Sequence, residues 1–147
     1  MKALSSLKPE DRVVLDTMFW IYLFEDAPRY GVRCQAILDL IGAGRFKAVV
    51  TPVTAAELLV KPIKQNRADI ADHYRRALTN LKNVELQAMT FQVGCLAGAL
   101  RAKYDLPLPD MLQAACAIGA QAPRLLTNDK ALRRVAELQV ILLDDLL

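Results

Sequence analysis

The sequence predicts an α/β fold three layers deep, with a central, mostly parallel five-stranded sheet flanked by helices, and three observations support this. Short apolar runs rich in Val, Ile and Leu alternate along the chain with longer stretches of three- to four-residue apolar spacing, the pattern of strands separated by helices. Parallel neighbours need long crossover connections, and those helices supply them. Size and composition agree. The chain has 147 residues, 54% hydrophobic and 24% charged, with 6 Gly and 7 Pro, which excludes disordered, collagenous and low-complexity classes. A chain of this length buries roughly 68–70% of its unfolded surface. A single domain over 1–147, with its core at about 13–144, follows.

Each element has its own signal. Val13-Val14-Leu15, closing on Asp16-Thr17, reads as a buried strand. Phe19 to Glu25 forms a short helix, Pro28 interrupts, and a longer helix runs from Tyr30 to the Gly42-Ala43-Gly44 stop. Phe46 to Val50 is a second strand. Pro52 and Thr54 open a helix that Pro62 is expected to break, before a polar helix from about Ile63 to Leu81. Val84 to Ala88 is a third strand, and Thr90 caps a helix to about Lys103. A loop at 105–109 places Pro109 in the first turn of the helix carrying Asp110 to Ala120. Arg124 to Thr127 is a fourth strand, Asn128-Asp129 opens a short helix through Val135, and Val140 to Leu143 is a fifth strand.

Several functional classes drop out. The longest uncharged stretch, Leu86 to Leu100, is 15 residues with two Gln and two Gly, shorter than a membrane span requires. The N-terminus lacks the apolar core and cleavage site of a secretory signal, so a cytoplasmic location is expected. Cys34, Cys95 and Cys116 are widely spaced among apolar helical neighbours, which points to buried free thiols. His73, between Asp72 and Tyr74, reads as part of a solvated helix face.

Four acids fall where an open parallel sheet binds its ligands, beyond the carboxyl ends of the strands. Asp16 ends the first strand, Glu57 lies just after the second, Asp110 begins the helix after the 105–109 loop, and Asp129 follows the fourth strand. Helix capping offers a simpler account of three of them. Thr54-Ala55-Ala56-Glu57 fits a capping box, and Asp110 and Asp129 sit at helix starts. Asp16 is costlier to bury without a partner. Taken together, converging carboxylates repel one another unless a cation neutralises them. With no convergent His or Cys set, Mg²⁺ or Mn²⁺ is the natural occupant, and phosphodiester hydrolysis its natural chemistry.

These segments resemble the PIN-domain ribonucleases, and within them the bacterial VapC-type toxins. The matching pieces are Val14-Leu15-Asp16-Thr17, Ile21 to Glu25, Thr51 to Leu59, Leu100-Arg101-Ala102, Leu106 to Asp110 and Leu126-Thr127-Asn128-Asp129, together spanning 13–144. The resemblance implies a PIN-like fold and a Mg²⁺- or Mn²⁺-dependent endoribonuclease. It makes Asp16, Glu57, Asp110 and Asp129 both the catalytic and the metal-binding acids. It also implies supporting roles for Thr17, Thr127 and Asn128, a small antitoxin partner and a homodimer. One departure is Met18, where many relatives carry Asn or Ser, so a polar group beside the acids is expected to be missing. A PIN-like RNA- or protein-binding module without useful catalysis is the alternative.

RNA needs a cationic approach. Arg101 and Lys103 precede the Asp110 loop, and Lys61 opens a stretch, 61–82, in which six basic residues face two acids, a net of +4. These three are the expected phosphate contacts. The aromatics Phe19, Trp20, Tyr22 and Phe24 point to core or dimer packing more than to base stacking.

Overall fold

β1 (Arg12–Leu15), β2 (Lys47–Val50), β3 (Val84–Leu86), β4 (Arg124–Thr127) and β5 (Gln139–Leu142) form one sheet in the order β3-β2-β1-β4-β5. All four neighbouring pairs are parallel. The computed structural model describes residues 2–146. The helices are α1 (Lys2–Ser5), α2 (Thr17–Phe24), α3 (Tyr30–Gly42), α4 (Pro52–Lys64), α5 (Ala68–Asn80), α6 (Phe91–Tyr104) and α7 (Leu108–Gly119), with 3₁₀ turns at Lys130–Arg134 and Leu143–Leu146. Among the described residues no helix is long and apolar enough to cross a membrane.

Strand alternation sorts the core into two faces. Val13 and Leu15 point to one side, where Phe19, Trp20, Ile37, Leu58 and Leu78 of α2 to α5 cover them. Val14 points to the other, with Val49 and Leu125, against Met111, Ala114 and Leu100 of α6 and α7. A side-chain period of two makes β1 apolar on both faces, as a central parallel strand must be. The chain builds β1, β2 and β3 outward in one direction, then returns to place β4 and β5 on the other side of β1. Strand order therefore reverses between β1 and β4, and a crevice opens at their carboxyl ends.

Three sequence expectations give way. Pro62 does not end α4, which continues to Lys64. The ring is buried on the covered side of the helix, and the last carbonyls are taken up by Gln65, Asn66 and Arg67 amides, which offsets the one missing bond. The polar helix consequently starts later, at Ala68, after a turn in which Asn66 adopts φ 55°. Cys95 is exposed on α6, because its position falls on the outer side of that helix, whereas Cys34 and Cys116 are buried. Burial pushes the Cys34 thiol up to about 12, so it stays protonated and inert.

Candidate functional site

Asp16 is the last residue before α2 and lies at the reversal crevice. Its amide bonds to the Leu126 carbonyl at 2.9 Å, extending the β1–β4 ladder by one residue and setting Asp16 opposite Thr127. The Thr127 hydroxyl donates to Asp16 Oδ2 at 2.7 Å and accepts the Asp129 amide at 3.1 Å. The Thr17 amide donates to Asp16 Oδ1 at 2.8 Å. Burial raises the Asp16 carboxyl above its ordinary range, the Thr127 and Thr17 bonds pull it back, and the charges of Glu57 and Asp129 push it up again.

The other acids arrive from separate elements. Glu57 sits on the exposed side of α4 and accepts from the Thr17 hydroxyl at 2.7 Å. Asp110 lies in the first turn of α7, which Pro107 and Pro109 start. Burial first, then the charges of Asp16, Asp129 and Glu57, raise its carboxyl to about 6. Asp129 caps the first 3₁₀ turn, accepting the Ala131 amide at 3.0 Å. One acid pit thus brings Asp110 within reach of the charges of Asp16, Asp129 and Glu57, and Asp16 within reach of those of Glu57 and Asp129.

Their spacing is looser than a closed cage. Among the described residues no three carboxylates, histidines or cysteines stand close enough together to enclose a metal by themselves. The acids nonetheless lack cationic partners, since the ion pairs of the described residues all involve other carboxylates.

The capping-box reading of Thr54 and Glu57 fails. Thr51, not Thr54, precedes α4, and Thr54 is fully buried in the third helical position. Its hydroxyl lies 3.0 Å from that of Thr17 and accepts Gln113 Nε2 at 2.9 Å. Gln113 Oε1 in turn accepts the Thr51 hydroxyl. Thr51, Thr54 and Gln113 escaped sequence reasoning, although a glutamine inside the apolar run Met111 to Ala117 is a legible signal of a buried polar contact.

Asn128 and Met18 meet behind the pit. The Asn128 side chain accepts the Asp144 amide at 3.1 Å, so it ties the 3₁₀ turn to the end of β5 instead of facing the acids. Its own amide donates to the Met18 sulfur at 2.9 Å. Met18 therefore sets a weak thioether acceptor against the Asn128 backbone amide, where the resemblance leads one to expect Asn or Ser.

The cations expected to meet phosphate are each engaged. Lys61 pairs with Glu25 at 2.9 Å and lines, with Glu57, Ile21 and Tyr74, a small recess beside the acids. Arg101 pairs with Asp105, and Lys103 with Glu137 at 3.5 Å. Lys130, directly after Asp129, is exposed and without an ion pair among the described residues. Phe19 and Trp20 are buried and Tyr22 stacks on Tyr30 at 4.6 Å, which agrees with a packing role for the aromatics.

Comparison with known proteins agrees with this architecture. Among solved structures the chain is similar to VapBC2 from Rickettsia felis bound to a DNA fragment from their promoter (TM-score 0.73, 18% identity, 89% of this chain and 98% of that one). It is also similar to VapBC-1 from nontypeable Haemophilus influenzae (TM-score 0.70, 21% identity, 90% and 98%). A third likeness is to a toxin-antitoxin complex from Klebsiella pneumoniae (TM-score 0.67, 22% identity, 88% and 95%). No curated protein sequence matches. The family model of the PIN domain matches residues 13–138, from the second residue of β1 to the residue before β5 and including all four acids, and the chain belongs to the PIN-domain family.

Proposed function

We propose that this protein is a metal-dependent endoribonuclease and the toxin of a toxin–antitoxin pair, with Asp16, Glu57, Asp110 and Asp129 as the acids that hold Mg²⁺ or Mn²⁺. One observation carries the reading. Four carboxylates lie around the strand-order reversal, Asp110 feeling the charges of the other three and Asp16 those of Glu57 and Asp129, and among the described residues none of the four has a cationic partner.

The donor set suits the metal. All four groups offer oxygen, which hard divalent cations prefer. Magnesium is usually held by one or two carboxylates, keeps several waters and is completed by substrate phosphate, so a spacing too wide for a protein-only cage fits it well. When bound, such an ion polarises a phosphoryl oxygen and acidifies a water. The chain's own part is to orient and to hold charge. Thr127 and the Thr17 amide aim both oxygens of Asp16, and Thr17 aims Glu57. Asp110 keeps a proton up to about 6, which a metal must displace, so metal affinity weakens below that pH. Lys61, Arg101 and Lys103 exchange their carboxylate partners for RNA phosphates.

An antitoxin is the partner that the similar structures support, because they are complexes of paired proteins. Purified protein with Mg²⁺ or Mn²⁺ should cleave RNA, and Asp16→Asn and Asp110→Asn should each abolish cleavage while the circular dichroism spectrum is unchanged. Equal activity in wild type and both variants overturns the assignment. The product of the reading frame beside the gene should copurify and suppress cleavage.

A further inference from the structure

The buried polar contacts beneath the acid pit run in one direction, and that direction gives Gln113 a role. Gln113 lies one turn beyond Asp110 on α7, is 1% exposed, and is surrounded by Met111, Ala114 and Ala115 in the sequence of that helix. Three contacts connect it to Glu57: Gln113 Nε2 to Thr54 Oγ1 at 2.9 Å, Thr54 Oγ1 to Thr17 Oγ1 at 3.0 Å, and Thr17 Oγ1 to Glu57 Oε1 at 2.7 Å, while on its other side Gln113 Oε1 accepts the Thr51 hydroxyl.

Proton counting orders the chain. An ionised carboxylate only accepts and each hydroxyl owns a single proton, so the Thr17 proton is spent on Glu57. The Thr54 proton must then supply the contact between the two hydroxyls. Thr54 can accept only from its other side, which selects the Gln113 amide nitrogen there and turns the carbonyl oxygen toward Thr51. Thr51 donates its proton to that oxygen, and its side chain makes no cap on α4. No two protons and no two lone pairs face each other anywhere along the line.

We infer that Gln113 is a positioning residue for Glu57: it ties α7, which carries Asp110, to α4, which carries Glu57, and sets the Thr54 and Thr17 hydroxyls so that the Glu57 carboxylate receives a hydrogen bond. The inference rests on the proposal that Glu57 is one of the metal-holding acids. A glutamine that merely satisfied its own burial would be indifferent to whether Glu57 is present.

The test separates the two roles. In metal-free protein followed by nitrogen-15 NMR, Glu57→Ala should shift the Gln113 side-chain amide resonance and speed its solvent exchange, although the two side chains do not touch. An unchanged resonance and exchange rate overturns the inference. For Mn²⁺ binding measured by calorimetry, Gln113→Met and Gln113→Glu should each weaken affinity roughly ten-fold or more, the usual cost of removing a group that orients a metal ligand. Gln113→Glu keeps the shape but turns the Thr54 proton away from Thr17. In a Glu57→Ala background, Gln113→Met should have no further effect, because both changes break one line of contacts. Independent, additive losses overturn the inference. A shifted Gln113 amide in a protein that binds no Mn²⁺ supports the hydrogen-bond line and overturns the metal assignment instead.

Discussion

Asp110 gives the pit a pH dependence with a definite sign. Its carboxyl is raised from 3.8 to about 6 by burial and by Asp16, Asp129 and Glu57. Between those values the folded state binds more protons than the unfolded state, so this group's contribution to stability falls as pH rises from about 4 to about 6 and stays low above. Asp110→Asn resembles the protonated form at every pH. Metal-free Asp110→Asn should therefore melt higher than wild type at pH 7.5 and match it near pH 4, as read by thermal denaturation. A difference in Tm that does not vary with pH contradicts the assignment. Met18 makes a second residue-level case. Met18→Leu keeps the apolar bulk but leaves the Asn128 amide without its acceptor, which should cost about 1 kcal/mol and lower Tm accordingly.

At the level of elements, threonines near helix starts divide into caps and site supports. Thr90 precedes α6 and its hydroxyl accepts the Val93 amide at 3.1 Å. Thr90→Ala should cost about 1 kcal/mol of stability and leave RNA cleavage per folded molecule unchanged. Thr54 looked like a cap in the sequence because it stands three residues before Glu57. A hydroxyl inside a helix is free to bond outward, however, and the partners that decide its role lie on α2 and α7, 37 and 59 residues away. This separates what was legible from what was not. Strand runs and the parallel sheet were readable because apolar period is a local property, and so were the strand-end positions of Asp16 and Asp129. The course of α4 past Pro62 and the Thr51–Gln113–Thr54 contacts were not, because they depend on which side of a helix another element covers. The contact of the Met18 sulfur was unreadable for the same reason, its donor being 110 residues distant in sequence.

For the molecule as a whole, the modest net charge of +3 is the sum of two unlike regions. Setting aside the four pit acids leaves 12 of the 16 Asp and Glu against 19 Lys and Arg, a net of +7 on the remainder. An acidic pit within a basic surface suits the proposed pairing of a divalent cation with a polyanionic substrate. Much of the basic charge is tied in surface ion pairs such as Lys61 with Glu25 and Arg101 with Asp105. Exposed pairs of this kind are worth little, so a phosphate displaces the carboxylate at small cost. Binding of single-stranded RNA to the cleavage-deficient Asp16→Asn variant should accordingly weaken with salt, with log K falling by about 0.7 per log unit of salt for each phosphate neutralised. Contacts by Lys61, Arg101 and Lys103 give a slope near −2, or roughly a 20-fold loss between 50 and 200 mM salt. Replacing any one of the three by Ala should reduce the slope by about 0.7, whereas replacing Arg45, exposed just before β2 at the amino end of the sheet, should leave it unchanged. A salt response that is flat, or that Arg45→Ala alters as much as Lys61→Ala does, would place the RNA on a different face of the protein.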